Sequence, residues 1–356
     1  MEPQYYEESD FEHYDSHYGP YANSTTESNK QNSISESNMH NTFLPCMYSF
    51  TFVFGLVGNS LVLAIYIFYE KLKKLTDVFL VNLATADILF LCTLPFLAYD
   101  AANQWIFGLF MCKILRGLYA VNLYTSMLTL TCITVDRYIA IAQATRMHRF
   151  QGKQLALGLG ICTAVWVVSV IIATPQFIFN KQFTIDNKVK CYPQYNPPHL
   201  QLMVNGLQMT FGFILPLLAM IVCYVIIINT IIHAKGLRKY KSLKIIFMVV
   251  AVFIATQLPY NTVTLISTID PAANMHLDFI RALTITETIA YLHGCLNPVL
   301  YFFIGVKFRK NLVKILKDFG CAGPRGITSA LKTSDADSSK TFSASTNVEA
   351  TSMHPI

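Results

Sequence analysis

The chain has 356 residues, of which 53% are hydrophobic and only 13% are charged, and its formal net charge is +6 at pH 7. A composition this apolar excludes a single soluble domain of that length and favours a membrane protein. The nine histidines show no metal-ligand spacing, and we find no nucleotide-binding loop or nucleophile motif, so the sequence does not predict an enzyme.

Residues 1–42 form an acidic, tyrosine-rich segment in which eight Asp or Glu residues accompany a single Lys, Lys30. Such a segment cannot bury a core, and we expect it to be disordered until it binds a partner. Two interpretations stay open, a solvated tail or an electrostatic attractant for a basic extracellular protein. The second makes Tyr5, Tyr6 and Tyr14 candidate ligand-binding residues. Asn23 begins an Asn-Ser-Thr glycosylation sequon.

Residues 43–304 contain seven predominantly apolar runs, here called spans one to seven. Each run is long enough to cross about 30 Å of hydrocarbon as a helix, so the sequence predicts an all-α membrane protein with a seven-transmembrane helix bundle. The runs are Phe43–Tyr69, Val78–Tyr99, Leu118–Val135, Leu155–Phe179, Leu200–His233, Ile245–Ile269 and Ala282–Ile304.

The basic residues predict the orientation of the bundle. Lys and Arg are concentrated in the connections after spans one, three and five and in the segment after span seven. By the positive-inside rule, the N-terminus is extracellular and the C-terminus cytoplasmic, as in a multi-pass plasma-membrane protein. The net positive charge therefore reflects topology, and no nucleic-acid partner is predicted.

Residues 305–320 are predicted to form an amphipathic helix on the cytoplasmic leaflet, in contact with membrane lipid. Its apolar positions recur at helical spacing and are Phe308, Leu312, Ile315, Leu316 and Phe319. Cys321 follows directly and is a palmitoylation candidate, although a free thiol is an equal alternative. Residues 321–356 are predicted to be a disordered Ser/Thr-rich tail, which phosphorylation would turn into an anionic docking segment.

Polar side chains interrupt several spans, where they are costly and therefore informative. They are Asn59, Asp87, Asn122, Ser126 and Asn297. One interpretation is that they join helices by hydrogen bonds. The other is a sodium site formed by Asp87, Asn122, Ser126 and Asn297, because hard cations prefer oxygen ligands. Apart from this sodium ion, no metal or cofactor is predicted.

The inner end of span three reads Asp136-Arg137-Tyr138, and it is accompanied by matching residues in every other span. These are Asn59, Asp87, Trp166, Pro216, Tyr224, Phe253, Pro259 and the string Asn297-Pro298-Val299-Leu300-Tyr301. The set resembles the rhodopsin-like G-protein-coupled receptors.

That resemblance implies a bundle with two states, and an agonist acts by binding one of them better. Arg137 is restrained by Asp136 and released when span six swings outward about Pro259, after which Tyr224 and Tyr301 pair around it. The implied partners are a heterotrimeric G protein of the inhibitory class, and arrestin and receptor kinases at the phosphorylated tail. Cys112 and Cys191 face an oxidising compartment, so a disulfide between them is expected, and it matches the usual bridge of the family.

Further strings resemble the chemokine receptors. They are Thr93-Leu94-Pro95, Trp105-Ile106-Phe107-Gly108, Asp136 to Ile141 and His293 to Pro298. A second set of strings resembles the C-X-C branch of these receptors. They are Phe43-Leu44-Pro45-Cys46, Gly55 to Leu63, Ser242 to Phe247, and in the tail Lys340 to Ser345 and Asn347 to Ser352. This second resemblance implies a C-X-C chemokine as ligand. Glu287 and Tyr119 would engage its N-terminus, with Asp100 and Trp105 as further ligand-binding candidates. An internal partner for Glu287 is the alternative interpretation.

Three residues depart from the family pattern, and one of them is Leu97, where many chemokine receptors place a pocket-lining Trp. Gln257 stands where most relatives carry Trp, at the side chain that reports agonist binding. Cys46 has no cysteine between Asn261 and Ile289 with which to pair. The leading hypothesis is a signalling receptor, and a scavenging or cell-adhesion receptor that binds chemokine with weak or no signalling is the alternative.

Overall fold

The computed structural model describes residues 42–70, 72, 74–142, 153–185, 188–233, 240–270, 272–273, 276–304 and 306–318. In chain order it contains α1 (Leu44–Ala64), α2 (Leu75–Leu91), α3 (Leu94–Ala102), α4 (Gly108–Ala142), α5 (Gln154–Phe179), β1 (Asn180–Ile185), β2 (Lys188–Pro193), α6 (Pro198–Met209), α7 (Leu215–His233), α8 (Tyr240–Ile269), α9 (Leu277–Tyr291), α10 (His293–Ile304) and α11 (Val306–Asp318). Two π-helical turns, Ile65–Tyr69 and Thr210–Ile214, extend α1 and join α6 to α7. The predictions for Tyr5, Tyr6, Tyr14, Asn23 and Cys321 lie outside the described residues.

Six helices among the described residues are long and apolar enough to cross a membrane, and they coincide with spans one to six. Span seven is divided between α9 and α10, which have 15 and 12 residues and meet at Leu292. Span three is longer than its apolar run, because α4 continues to 35 residues through Lys113 and Arg116 at one end and Asp136 and Arg137 at the other. Charged residues end the apolar run, but the backbone hydrogen bonds of the helix continue past them.

Spans two and three lie at the centre of the bundle. In each of them 56% of an apolar stretch of 18 residues is buried inside the protein, whereas in span four only 22% of such a stretch is buried. Helix α4 packs against α2, α5 and α7. One core cluster joins α2, α4 and α7 to α8 and contains Leu83, Leu123, Met127, Leu130, Phe213, Met220 and Phe253. The exposed apolar faces of the peripheral helices are those expected to meet lipid.

A two-stranded antiparallel hairpin lies at the end of the bundle predicted to be extracellular, here called the outer end. Strands β1 and β2 pair with Gln182 opposite Cys191. A disulfide joins Cys191 to Cys112 at the start of α4, which confirms the predicted bridge. The backbone of Trp105 also donates a hydrogen bond of 2.8 Å to the carbonyl of Val189. The hairpin is therefore attached to span three and to the first outer loop.

The connection into α4 depends on Gly108, whose φ of 79° lies in the left-handed region that favours glycine. Its carbonyl accepts a 2.9 Å hydrogen bond from the indole Nε1 of Trp105. Trp105 is only 2% exposed and packs with Cys112, Leu115 and Cys191. The aromatic ring thus forms a small core beneath the disulfide.

Replacing Cys112 and Cys191 together by Ser should lower the melting temperature of the detergent-solubilised protein by several degrees. The bridge closes a loop with a sequence separation of 79, and removing a native disulfide typically lowers the free energy of unfolding by about 2 to 5 kcal/mol. Thermal unfolding monitored with a thiol-independent dye measures the shift. Cys46→Ser is the control, since Cys46 is exposed and free. An unchanged melting temperature in the double variant would contradict the structural role of the bridge.

Candidate functional site

An ion pair between spans three and seven lies at the outer end. Arg116 Nη1 of α4 lies 3.9 Å from Glu287 Oε1 of α9, and their side chains are 25% and 28% exposed. Tyr291 donates a hydrogen bond of 2.7 Å to the same Glu287 oxygen. The carboxylate therefore has internal partners, as one of the two sequence interpretations anticipated. The Arg partner was missed, since no sequence pattern indicated that α4 and α9 place these two charges together.

A cluster of aromatic rings includes Tyr291, whose hydroxyl bonds to the carboxylate. The ring centroids of Tyr119 and Tyr291 are 4.9 Å apart, and Phe90 and Tyr48 lie within 5.8 Å of one or both of them. Tyr119 was predicted to act beside Glu287, and the structure brings both to one cluster. These rings leave Glu287 in a partly dry environment, in which a charge is stabilised mainly by specific partners.

A second ion pair joins the hairpin to α3. Lys190 Nζ of β2 lies 4.0 Å from Asp100 Oδ1 and donates a hydrogen bond of 3.2 Å to the Asp100 carbonyl. We call Arg116, Glu287, Tyr291, Tyr119, Asp100 and Lys190 the outer site. Trp105 is not part of it, because it is buried beneath the disulfide. A direct contact between Trp105 and a ligand would require that small core to open.

The four residues of the predicted sodium site meet in one buried cluster at the middle of the bundle. Asn297 Nδ2 donates a 2.9 Å hydrogen bond to Asp87 Oδ2, and Ser126 Oγ donates one of 3.2 Å to Asp87 Oδ1. Asn122 Nδ2 donates in turn to Ser126 Oγ at 3.4 Å. Asp87, Ser126 and Asn297 are each 1% exposed.

This cluster has the donor set for a hard cation. It combines a carboxylate, a hydroxyl and amide oxygens, which are the ligands of such ions. Asn297 Oδ1 is buried with no hydrogen-bond partner among the described residues, so one amide oxygen is available without breaking an existing bond. Among the described residues no group of three or more His, Cys, Asp and Glu side chains suits a metal such as zinc.

Gln257 lies between the outer site and the Asp87 cluster. It is 3% exposed, and its Nε2 donates a hydrogen bond of 3.3 Å to the Ala290 carbonyl of α9. A cavity of about 20 Å³ adjoins it, and its lining includes Tyr119 and Tyr291 of the outer site and Asn122 and Ser126 of the Asp87 cluster. The amide therefore ties span six to span seven at the level where the two sites approach each other.

Phe253 lies one helical turn below Gln257 and is completely buried. Its ring stacks on Phe213 at 5.6 Å and meets the edge of His293 at 6.3 Å. Pro259 lies inside α8, where it removes a backbone hydrogen bond. Phe253 thus connects span six to spans five and seven, and a rotation of α8 would have to move both contacts.

The inner end contains a three-residue cluster in which Arg137 contacts Asp136 and Thr76. Arg137 Nη2 lies 3.7 Å from Asp136 Oδ2, and Thr76 of α2 bridges the two. The Thr76 hydroxyl donates a hydrogen bond of 2.5 Å to Asp136 Oδ2 and accepts one from Arg137. Asp136 is 3% exposed, whereas 30% of the Arg137 side chain is exposed. The sequence indicated the Asp136–Arg137 pair but not Thr76, whose residue type is common inside helices.

The remaining predicted switch residues are spread over spans three, five and seven. Tyr138 follows Arg137 in α4, and Tyr224 of α7 packs against the core cluster that contains Phe253. Pro298 of α10 closely approaches Gly58 of α1, where an added Cβ would lie 2.9 Å from the Pro298 Cβ. Tyr301 lies in α10, and its side chain is outside the described part of the structure.

Comparison with known proteins supplies an independent result. Residues 58–301 match the family profile described as "7 transmembrane receptor (rhodopsin family)". C-C chemokine receptor type 6 of Mus musculus is 42% identical over 294 residues, which cover 80% of this chain and 80% of that receptor. The Homo sapiens type 6 receptor is 43% identical over 295 residues, covering 78% and 77%. C-C chemokine receptor type 9 of Mus musculus is 40% identical over 303 residues, covering 82% and 81%.

Proposed function

The chain belongs to the rhodopsin family of seven-transmembrane receptors and, within it, to the chemokine receptors, and from that premise we propose that it binds a C-X-C chemokine at the plasma membrane and activates an inhibitory heterotrimeric G protein. Leukocyte migration and calcium release are the expected cellular outputs. The observation that carries this proposal is the outer site, in which Glu287 presents a carboxylate among aromatic rings.

The choice of a C-X-C ligand is supported by the sequence strings of this chain. The strings given above for the C-X-C branch resemble the type-six C-X-C receptor. This resemblance implies that the ligand is C-X-C motif chemokine ligand sixteen. The relatives described above are instead named as C-C receptors, with 40 to 43% identity. Family membership therefore supports a chemokine in general, and the finer ligand class is the proposal.

The ligand is proposed to arrive from the extracellular side. The distribution of Lys and Arg places the N-terminus outside and the C-terminus in the cytoplasm. On this orientation, the acidic tail with Tyr5, Tyr6 and Tyr14 attracts a basic chemokine. The ligand's free amine then approaches the Glu287 carboxylate, which is 28% exposed.

The signal is proposed to travel along spans six and seven. Displacement at Glu287 moves α9, to which the Gln257 amide of α8 is bonded. Phe253 passes the movement to the core below. Outward motion of α8 about Pro259 then favours the state in which Arg137 leaves Asp136 and Thr76 and binds the G protein.

Two inner features are proposed to serve regulation. Helix α11 packs Phe308 and Ile315 against Val62 and Ile65 of span one, which supports an amphipathic helix on the membrane surface. Palmitoylation of Cys321 would strengthen that attachment. Receptor kinases and arrestin are the proposed partners of the Ser/Thr-rich tail, where phosphate groups would add negative charge.

One observation favours a second function, in which the receptor scavenges or tethers chemokine with little signalling. The hydrogen bond from Gln257 to Ala290 ties α8 to α9 in place of the Trp that most relatives carry. If that bond holds the resting state strongly, ligand binding would not move span six.

Agonist-dependent nucleotide exchange distinguishes these functions. Membranes from cells that express the chain would be treated with C-X-C motif chemokine ligand sixteen and with a panel of C-C and C-X-C chemokines, and GTPγS binding to the inhibitory G protein would be recorded. Signalling predicts exchange with at least one C-X-C chemokine. Saturable binding with no exchange would leave the scavenging function, and a response to C-C chemokines alone would overturn the ligand class.

Sodium should stabilise the purified receptor through Asp87. If sodium is present at ten times its dissociation constant, it adds about 1.4 kcal/mol to the free energy of unfolding. Exchanging choline chloride for sodium chloride at constant ionic strength should raise the melting temperature of the wild type and not of Asp87→Asn. The control is Asp77→Asn, which removes a carboxylate from the same helix at its inner end. An equal sodium effect in all three proteins would show that the Asp87 cluster holds no sodium ion.

A further inference from the structure

Arg116 is a half-buried cation with unused hydrogen-bonding capacity. A guanidinium group has five N–H donors, but the contact with Glu287 is 3.9 Å long and exceeds hydrogen-bond distance. Its Nε is buried and has no hydrogen-bond partner among the described residues. Leaving such donors unsatisfied is unfavourable, and a planar guanidinium is well suited to a carboxylate that binds two of its N–H groups.

Glu287 has an unused hydrogen-bond acceptor, just as Arg116 has an unused donor. Tyr291 and Arg116 both contact Oε1, so these two contacts leave the other carboxylate oxygen available. A ligand ammonium group at that oxygen would not need to displace Tyr291. It would, however, place a second cation beside a carboxylate that already faces Arg116.

The charge balance of the outer site determines which charged group the ligand must carry besides its ammonium group. Its two ion pairs, Arg116 with Glu287 and Lys190 with Asp100, sum to zero net charge. Entry of an ammonium group makes the sum positive in a partly dry space, which is unfavourable unless an anion enters with it. The carboxylate of Asp100 is already paired with Lys190 of the hairpin at 4.0 Å.

We propose that Arg116 forms a carboxylate-binding subsite of the outer site and selects chemokines that carry an Asp or Glu next to their free N-terminal amine. This inference rests on the proposed function. The ammonium group binds Glu287 while the neighbouring carboxylate forms a two-point contact with Arg116. The short distance between Arg116 and Glu287 requires the two ligand charges to be adjacent, so an acidic residue within the first two positions fits and one further along does not.

A double-mutant cycle between ligand and receptor tests the subsite. The probes are two versions of one C-X-C chemokine that activates the wild type, with either Glu or Gln engineered at the second position. The receptors are the wild type, Arg116→Gln and the control Arg281→Gln, which removes an outer cation paired with the exposed Asp278. Binding to intact cells is measured by displacement of the labelled parent chemokine, and surface expression is measured with an antibody.

On the wild type and on Arg281→Gln, the Glu probe should bind about tenfold more tightly than the Gln probe. On Arg116→Gln the two probes should bind equally. Equal preference for Glu on all three receptors would overturn the subsite, and so would tighter binding of both probes to Arg116→Gln, because Arg116 would then be a competitor for Glu287. Arg116→Lys is the second variant and should retain part of the preference, since it keeps the charge but not the planar group. Failure of every chemokine to bind the wild type would instead remove the proposed function and the subsite with it.

Discussion

Glu287→Gln should reduce the potency of the activating chemokine by about thirtyfold with little loss of surface expression. Removing one member of a hydrogen-bonded charge pair in a partly buried interface reduces binding by about 2 kcal/mol or more, and 1.4 kcal/mol corresponds to a factor of ten. The amide has the same shape as the carboxylate and can still accept the hydrogen bond from Tyr291. A concentration–response curve for nucleotide exchange measures the shift.

The control for this experiment is Asp278→Asn. Asp278 lies in the same helix, is 95% exposed and carries the same charge, so it reports the general effect of removing an outer carboxylate. Because Glu287→Gln also leaves Arg116 without its anion, the double variant with Arg116→Gln is compared with Arg116→Gln alone, and the potency lost between these two receptors measures the loss of the Glu287 contact. If Glu287→Gln and Asp278→Asn give the same potency as the wild type, Glu287 does not bind the ligand's amine.

Arg137→Gln should abolish chemokine-stimulated nucleotide exchange while chemokine binding remains. The proposed active state requires the Arg137 cation to leave Asp136 and Thr76 and reach the G protein, and a neutral amide cannot replace that charge or its planar set of donors. Exchange should fall more than tenfold, to the background of cells without receptor. Binding of labelled chemokine to intact cells checks that the outer site is unchanged.

The companion variant Thr76→Val should have the opposite effect and raise exchange in the absence of chemokine. It removes the hydroxyl that bridges Asp136 and Arg137 with little change in side-chain size. Hydrogen bonds to charged groups contribute about 1.5 to 3 kcal/mol, and part of this would be lost from the resting state. Thr85→Val is the matched control, because Thr85 is exposed in the same helix and its hydroxyl donates a hydrogen bond to the Val81 carbonyl. Equal basal exchange in the two variants would mean that Thr76 does not restrain Arg137.

Most of the fold could be predicted because the bilayer imposes a length on apolar runs. Spans one to six lie on the predicted runs, but the bounds differ where charged residues continue a helix, as at both ends of α4. Span seven has an interruption at Leu292, which the apolar run of the sequence did not reveal. Local turns depend on how neighbouring helices pack, and hydropathy does not contain that information.

The candidate site was also predicted only in part from the sequence. The residue types at Asp87, Asn297 and Ser126 indicated a common cluster, and the structure brings these side chains together. The partners Arg116 and Thr76 were missed, because a cation at a helix end and a Thr inside a helix each have ordinary explanations. Distances between helices decide such pairs. Trp105 was predicted to bind the ligand because it lies in a string that resembles the chemokine receptors. In the structure its ring lies in a small buried core.

The π-helical turn Thr210–Ile214 in span five has a consequence for sequence comparison. A π-turn accommodates one additional residue in the helix, and each residue of a helix rotates the chain by about 100°. Positions in α6 are therefore turned by that angle relative to a straight continuation of α7. Where a relative lacks the turn, an ungapped alignment would equate residues of α6 that face different neighbours. A single-residue gap at Thr210–Ile214 would restore equivalent faces.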